Sequence, residues 1–362
     1  MTGEPDEARR IVRSLSFHAD YVCQNSGVCC GSGWDIAVER PIHLTLRSRL
    51  HKSQVRLPHG PDGFQPMADP PADCDVSFRI HASGSCWFRD NEASRCAVHR
   101  AFGEAALPSA CRQFPRVCLL EPEQVSVSLS HYCPTAADLL FRDMEEFAIV
   151  DHPSGFPGCH SLEGLDARDS CSPLLRPRVL LGFDGLRAFE GHAVRALSRD
   201  DVWKGLATIQ AAVDDISTWT PMRGDLVTQI PAAFAARDGM ESFAPKAQDP
   251  RSILLASIPP GAPGNAALPD FLPVTQTFSR ASDLALRRYV AARLFGAWVM
   301  FQGEGLHVVS RYLALCLNSA LLFEAARPRD EPERTRFKEA VRSADLWLVH
   351  HCDPELLASN LR

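Results

Sequence analysis

A chain of 362 residues with 45% hydrophobic and 23% charged residues is long enough for one large or two medium domains with a sizeable core. Its net charge of −6, with no long basic run, argues against wholesale nucleic-acid binding and against a membrane surface as partner. Residues 1–10 have no apolar core or small-residue cleavage site, and the best apolar run, Tyr289–Met300, is broken by Arg293. The expectation is a cytoplasmic protein, where thiols stay reduced and clustered cysteines more often bind metal than pair as disulfides.

In chain order, residues 5–16 read as a short helix, 34–38 as a weak strand, and Pro41 opens a helix reaching about Leu50. Residues 57–73 are dense in Pro and Gly and read as an irregular loop. Two hairpins follow. In the first, strands 85–88 and 95–98 flank the polar turn 89–94 and set Cys86 and Cys96 on neighbouring strands. Residues 99–106 read as a helix that stops at Leu107-Pro108. In the second hairpin, 117–120 and 125–129 flank 121–124, and Val-Ser-Val-Ser-Leu has the period of a half-buried strand. Thr135 suits the N-cap of a helix running over 136–149. Residues 153–177 are rich in Pro, Gly and Ser. Helical periodicity then marks 178–190, 199–217, 225–238, 280–302, 304–326 and 331–349, with a proline-rich stretch over 257–273. The organisation expected is a cysteine-cluster region over 15–150, a linker over 151–177 and a helical region over 178–362. The fold class is mainly α, with a small cysteine-rich α+β region of short hairpins around a metal or iron–sulfur site.

Nine of the 13 cysteines fall within the 111 residues from Cys23 to Cys133, where an even scatter would put about four. Soft thiolates brought together from short, tight segments are what structural metal sites and iron–sulfur clusters require. The candidate ligands are Cys23, Cys29, Cys30, Cys86, Cys96, Cys111 and Cys133. The Cys29-Cys30 doublet lies beside Gly27, Gly31 and Gly33, which allow sharp turns and close approach. Cys111 precedes Arg-Gln-Phe-Pro, and Cys133 precedes Pro134. No CxxC or CxxxCxxC spacing occurs, so the spacing leaves zinc and an iron–sulfur cluster both open. Both doublet thiols on one ion would need a strained turn. Cys74, Cys118, Cys159, Cys171, Cys316 and Cys352 read as structural, because free cysteine is among the most buried residue types. His99 and His131 are secondary ligand candidates. Arg112 and Arg116 could meet an anionic group. No Rossmann, phosphate-loop or nucleophile-elbow pattern appears.

At these residues the chain resembles a known family. The run from Tyr21 to Ile36, with Cys23, Cys29-Cys30 and Gly33-Trp34-Asp35-Ile36, is similar to the opening of the YkgJ-type cysteine cluster proteins, a zinc- or iron-chelating family. Cys-Cys-x-x-Gly-Trp-x-Ile is nearest to the flagellin lysine N-methylase (FliB-like) branch. Ser85-Cys86-Trp-Phe, Cys96-Ala-Val-His, Cys111-Arg-Gln-Phe-Pro-Arg116 and Ser128-Leu-Ser-His-Tyr-Cys133-Pro134 extend the likeness over residues 17–140. The stretch 286–295 is similar to that branch's C-terminal half. One position departs: the methylase opening carries a further cysteine where Gln24–Val28 has none. The resemblance implies a [4Fe–4S] cluster, or a zinc or iron ion, on the seven candidate cysteines. It also implies S-adenosylmethionine as cofactor and methylation of lysines on a protein such as flagellin. A non-enzymatic zinc- or iron-chelating protein with a structural, storage or sensing role is the alternative.

Overall fold

The computed structural model describes residues 10–52, 55, 57–67, 70–90, 95–143, 146–152, 154–156, 162–170, 172–236, 249–259, 268–269 and 278–362. Ile11–Leu15 form β1, where a helix over 5–16 is expected from sequence. Sheet pairing overrides the helical pattern there: β1 runs parallel to Gln124–Leu129 and antiparallel to Ile149–His152, and Ser14 and Leu15 become fully buried. Ala37–Glu39 (β2) leads directly into α1, Arg40–Lys52. Within the expected loop, Phe64–Pro66 (β3) joins Cys74–Phe78 (β4), and β2, β4 and β3 form a small antiparallel sheet.

The first expected hairpin is displaced. Arg89–Asp90 (β5) pairs with Arg95–Cys96 (β6), which sets Arg89, not Cys86, opposite Cys96. Cys86 makes an isolated bridge to Ile80, and the turn residues 91–94 lie outside the described residues. Helix α2, Ala97–Phe102, ends in a 3-10 turn over Glu104–Ala106, and α3, Ser109–Gln113, carries Cys111.

The second hairpin forms where the sequence places it, as Arg116–Leu120 (β7) and Gln124–Leu129 (β8). All six residues of β8 are buried rather than half of them. Val125, Val127 and Leu129 face one core, whereas the serine face meets helices, with the Ser128 hydroxyl donating to the Ala292 carbonyl at 2.7 Å. Helix α4 is short, Pro134–Leu139, with Cys133 rather than Thr135 at its N-cap. The helix expected to 149 gives way because Phe147 enters the main core and Ile149–His152 (β9) pairs with β1. Leu165–Asp166 (β10), inside the stretch read as a linker, completes a five-stranded sheet ordered β10-β7-β8-β1-β9. Leu174–Arg176 (β11) and Val179–Leu180 (β12) make a separate ribbon.

The described residues that follow form α5 Phe183–Arg199, α6 Val202–Ile216, α7 Leu226–Ala235, α8 Pro250–Ala256, α9 Arg280–Leu294, α10 Leu306–Ala325, α11 Glu333–Asp345 and α12 Pro354–Asn360. Caps fix several starts. Asp201, Asp225, Asp249, Ser279 and Asp353 accept the first free backbone N–H groups of α6, α7, α8, α9 and α12. Helix α9 stops at Leu294 rather than near 302, because Phe295 turns extended and Gly296 takes φ +67° where the chain passes close over Ser126. Helix α10 is long and apolar enough to cross a membrane, yet most of it is buried, packed against α6, α9 and α11. Helix α11 widens into a π-helical turn over Leu346–His351.

Among the described residues, three buried cores result. The largest joins the helices to one face of the five-stranded sheet through Leu15, Phe17 and Leu119. A second lies on the opposite face, around Cys118, Val127 and Cys133. The third gathers Cys30, Val38, Leu46, Phe78, Cys86 and Phe88 in the cysteine-rich region. Cys118 and Cys316 are fully buried in apolar cores, and Cys352 is buried as well. Cys159 and Cys171 lie outside the described residues.

Candidate metal centre

The doublet is shaped by the residue before its turn. Gly27 takes φ +66°, a left-handed conformation costly to any residue with a Cβ, and starts the 3-10 turn Val28–Gly31. That turn leaves Cys30 buried and Cys29 half-buried, and the two thiols hydrogen-bond each other. The Cys30 thiol also hydrogen-bonds Cys96 at the start of α2, where the Cys96 sulfur accepts the His99 N–H at 3.5 Å. Cys86 is tied to the doublet by backbone, its N–H donating to the Cys30 carbonyl at 2.7 Å. Cys111 packs in the same apolar cluster and senses Cys86, Cys96 and Cys29 electrostatically. Four separate segments thus deliver five of the seven candidate cysteines to one place.

Their proton affinities differ by surroundings. Hydrogen bonding from Cys30 lowers the pKa of Cys29 and pulls that of Cys96 down to about 7. The same bonds, with burial, keep Cys30 protonated. Burial pushes Cys86 up to about 12 and raises Cys111 well above the usual thiol range. Without a metal the group therefore holds ready thiolate character at Cys29 and Cys96 and neutral thiols elsewhere. Thiolate is the form that binds soft metals.

Cys23 and Cys133 stand apart from these five. The Tyr21 hydroxyl hydrogen-bonds the Cys133 sulfur at 3.6 Å and also Cys23, and Cys133, at the head of α4, is buried with its pKa raised by that burial. The two sets line one cavity of about 500 Å³, onto which Cys23, Cys29, Cys30, Cys96, Cys111 and Cys133 open, while Cys86 lies outside its lining. Arg95, Arg100, Arg112 and Arg116 also line it against one carboxylate, Glu104, a basic concentration in an acidic chain. Arg100 is paired with Asp90 at 2.8 Å. Arg112 donates to the Leu107 carbonyl and Arg116 to that of Arg112, the latter at 3.1 Å. Among the described residues, no three Cys, His, Asp or Glu side chains already stand in the arrangement that closes on a single ion.

Long-range packing sets the back of the site. Trp34, from the Gly-Trp-Asp-Ile run, lies 4.1 Å from the His350 ring of the π-helical turn, and Phe114 and Tyr132 complete an aromatic group around it. The His350 Nε2 is 2.7 Å from the Ser130 hydroxyl. Next to Ser130, His131 is fully buried between His18, at 3.2 Å between their Nε2 atoms, and Asp345, at 3.2 Å from Nδ1. His131 thus belongs to this buried network, and it does not line the cysteine cavity. Arg293 approaches Asp345 at 3.6 Å. Burial lowers the pKa of both histidines, so this network holds neutral imidazoles around one ion pair. Arg89, Arg95, Asp345 and His350 escape sequence reasoning, and Tyr21 enters it only as the first residue of the run that resembles a known family. Of these, only Arg95 neighbours a motif cysteine in sequence in a way that could have drawn notice. No family model, curated protein or solved structure matches this chain.

Proposed function

We propose that Cys29, Cys30, Cys86, Cys96 and Cys111 form the core of an iron–sulfur centre of the [4Fe–4S] type, with Cys23 and Cys133 facing it across the cavity. The observation carrying this reading is that five thiols from four segments gather in one cluster, four of them opening onto one cavity of about 500 Å³. The donor set fits such a group: it is all soft sulfur, it includes two thiols already inclined to ionise, and it is partly dry. Four thiolates on one zinc lie about 3.8 Å apart, given a Zn–S length near 2.3 Å. A cluster accepts one thiolate per iron and spreads them more widely. Thiols that touch only in part, with Cys86 behind the cavity lining, suit the wider spread. A bound cluster would supply electron transfer or an iron site open to a ligand.

The cavity extends beyond the five cysteines, which leaves space for a small molecule and the end of a substrate side chain. With the resemblance to the flagellin lysine methylases, this supports a cytoplasmic protein-lysine N-methyltransferase that uses S-adenosylmethionine. The cavity arginines would then face the anionic end of a cofactor or an acidic stretch of the substrate. Protein purified without oxygen should be brown, with roughly four iron and four sulfide per chain. It should bind S-adenosylmethionine and transfer methyl groups to flagellin lysines. Cluster-bearing protein that does neither rejects the enzyme reading and leaves the centre standing.

A second reading is a non-enzymatic zinc- or iron-chelating protein. It is favoured by the hydrogen bonds of Cys30 to Cys29 and Cys96, which bring three soft thiols into one neighbourhood. Colourless protein with one zinc per chain and no sulfide selects it.

A further inference from the structure

Arg89 is out of the ordinary for a half-buried arginine. It lies three residues after Cys86, directly across the β5–β6 pair from Cys96, and its backbone N–H donates to the Cys86 carbonyl at 3.0 Å. Its guanidinium rests on Gly31, the residue after the doublet: a Cβ built there would come within 2.4 Å of Nη1. Its charge also reaches Tyr132, next to Cys133, where with Arg342 it opposes the rise in pKa that burial causes. The segments of Cys86, Cys96 and the doublet thus all lie against one cation. Its Nε is buried without a hydrogen-bond partner, and no ion pair joins it to a carboxylate among the described residues. A guanidinium drawn out of water needs a counter-charge or acceptors. The segments it lies against carry Cys30, Cys86 and Cys96.

We infer that Arg89 is the counter-ion of the cysteine centre, placed to donate N–H groups to thiolate or sulfide sulfur once metal is loaded. This rests on the iron–sulfur reading above. Net charge and hydrogen bonds to sulfur are what set the potential of such centres. A cation at the doublet favours the reduced form, which carries one more negative charge, and so raises the reduction potential. Gly31 has a matching role: its missing Cβ is the space the guanidinium occupies.

The test is a one-electron redox titration with dithionite, followed by electron paramagnetic resonance, together with iron and sulfide analysis of anaerobically purified full chain. Arg89→Gln should keep its iron and shift the equilibrium at least tenfold toward the oxidised centre, a fall of about 59 mV. Arg89→Lys should recover most of that shift. Gly31→Ala leaves the charge in the chain but displaces it, and should move the potential in the same direction as Arg89→Gln. If Arg89→Gln loses its iron while Arg89→Lys keeps it, the need for a cation is upheld. Loss of iron in both, or full iron with a ratio within twofold of wild type in Arg89→Gln and Gly31→Ala, overturns the role of Arg89 alone. Wild-type chain with no iron or sulfide overturns the centre and the counter-ion together.

Discussion

Asp345 offers the sharpest test of how the helical body holds the cysteine region. It is fully buried at the end of α11. Burial alone would favour its neutral form, yet Arg293 and His131 overcome that and hold the carboxyl below its usual range. The carboxylate also accepts the His131 backbone N–H, two residues before Cys133. Asp345→Asn keeps the shape and removes the charge, leaving Arg293, 4% exposed, without its partner. Breaking one side of a buried pair costs about 3–5 kcal/mol. For 362 residues at about 2.1 cal/mol/K each, the unfolding entropy is near 0.76 kcal/mol/K, so the melting temperature should fall by about 4–7 °C. The assay is calorimetry of metal-free protein beside Arg293→Gln and the double variant. The double variant should be more stable than the sum of the single losses predicts, because it leaves no lone charge. A change below about 1 °C in Asp345→Asn, or strict additivity, would refute the reasoning. The depressed pKa also fixes the sign with pH. This contribution is present above the unfolded aspartate pKa of about 3.9 and is lost as pH falls through the lower folded value.

Three further outcomes follow from the same geometry. Glu190, buried and accepting the Gly296 N–H at 2.9 Å, has its pKa pushed up to about 8 by burial first and by Glu121 second. The unfolded chain ionises there first, so this group's contribution to stability should be greatest below about pH 4.5 and decline by roughly 4–5 kcal/mol as pH rises to 8. Glu190→Gln should flatten that decline in urea midpoints measured across the range, and coincident slopes would contradict it. In metal-free, reduced protein, Cys96 should alkylate with a half-maximal rate near pH 7, ahead of Cys86 at about 12, as read by peptide mass spectrometry. Equal reactivity of the two would disprove the contact with Cys30. Gly27→Ala should lose about 1–2 kcal/mol from its left-handed φ and lower metal content measured by elemental analysis, whereas Gly191→Ala, with open space at its Cβ, should not.

What the sequence revealed was local. Cysteine density, glycines flanking the doublet, the β7–β8 alternation and the 3.6-residue periodicity of the late helices are all written in neighbouring residues. What it hid depends on separation. Strand β1 reads as helix until β8 and β9, more than a hundred residues away, offer it partners. Ser130 meets His350 across 220 residues, and His131 meets Asp345 across 214. No spacing rule carries such pairs. The hairpin error is of another kind: a shift of three residues along a strand only two residues long moved Cys86 off the ladder and put Arg89 on it. Short strands have too little pattern to fix register.

The division of labour between the two halves follows from core size. The cysteine-rich region has its own apolar cluster, but strands of two to five residues and helices of five or six make most of it. Such elements cannot by themselves hold five thiols together against conformational entropy. The body supplies what is missing at two points, both on the last helices. Asp345 pins the segment that leads into Cys133, and His350 pins Trp34, four residues after the doublet. They are five residues apart, at either end of the step from α-helix to π-helix. A continuous α-helix would turn a residue five positions on by about 500°, or 140° net, away from its partner. The wider π-turn brings such residues back onto one side. The irregularity in α11 thus lets a single helix grip both cysteine-bearing segments.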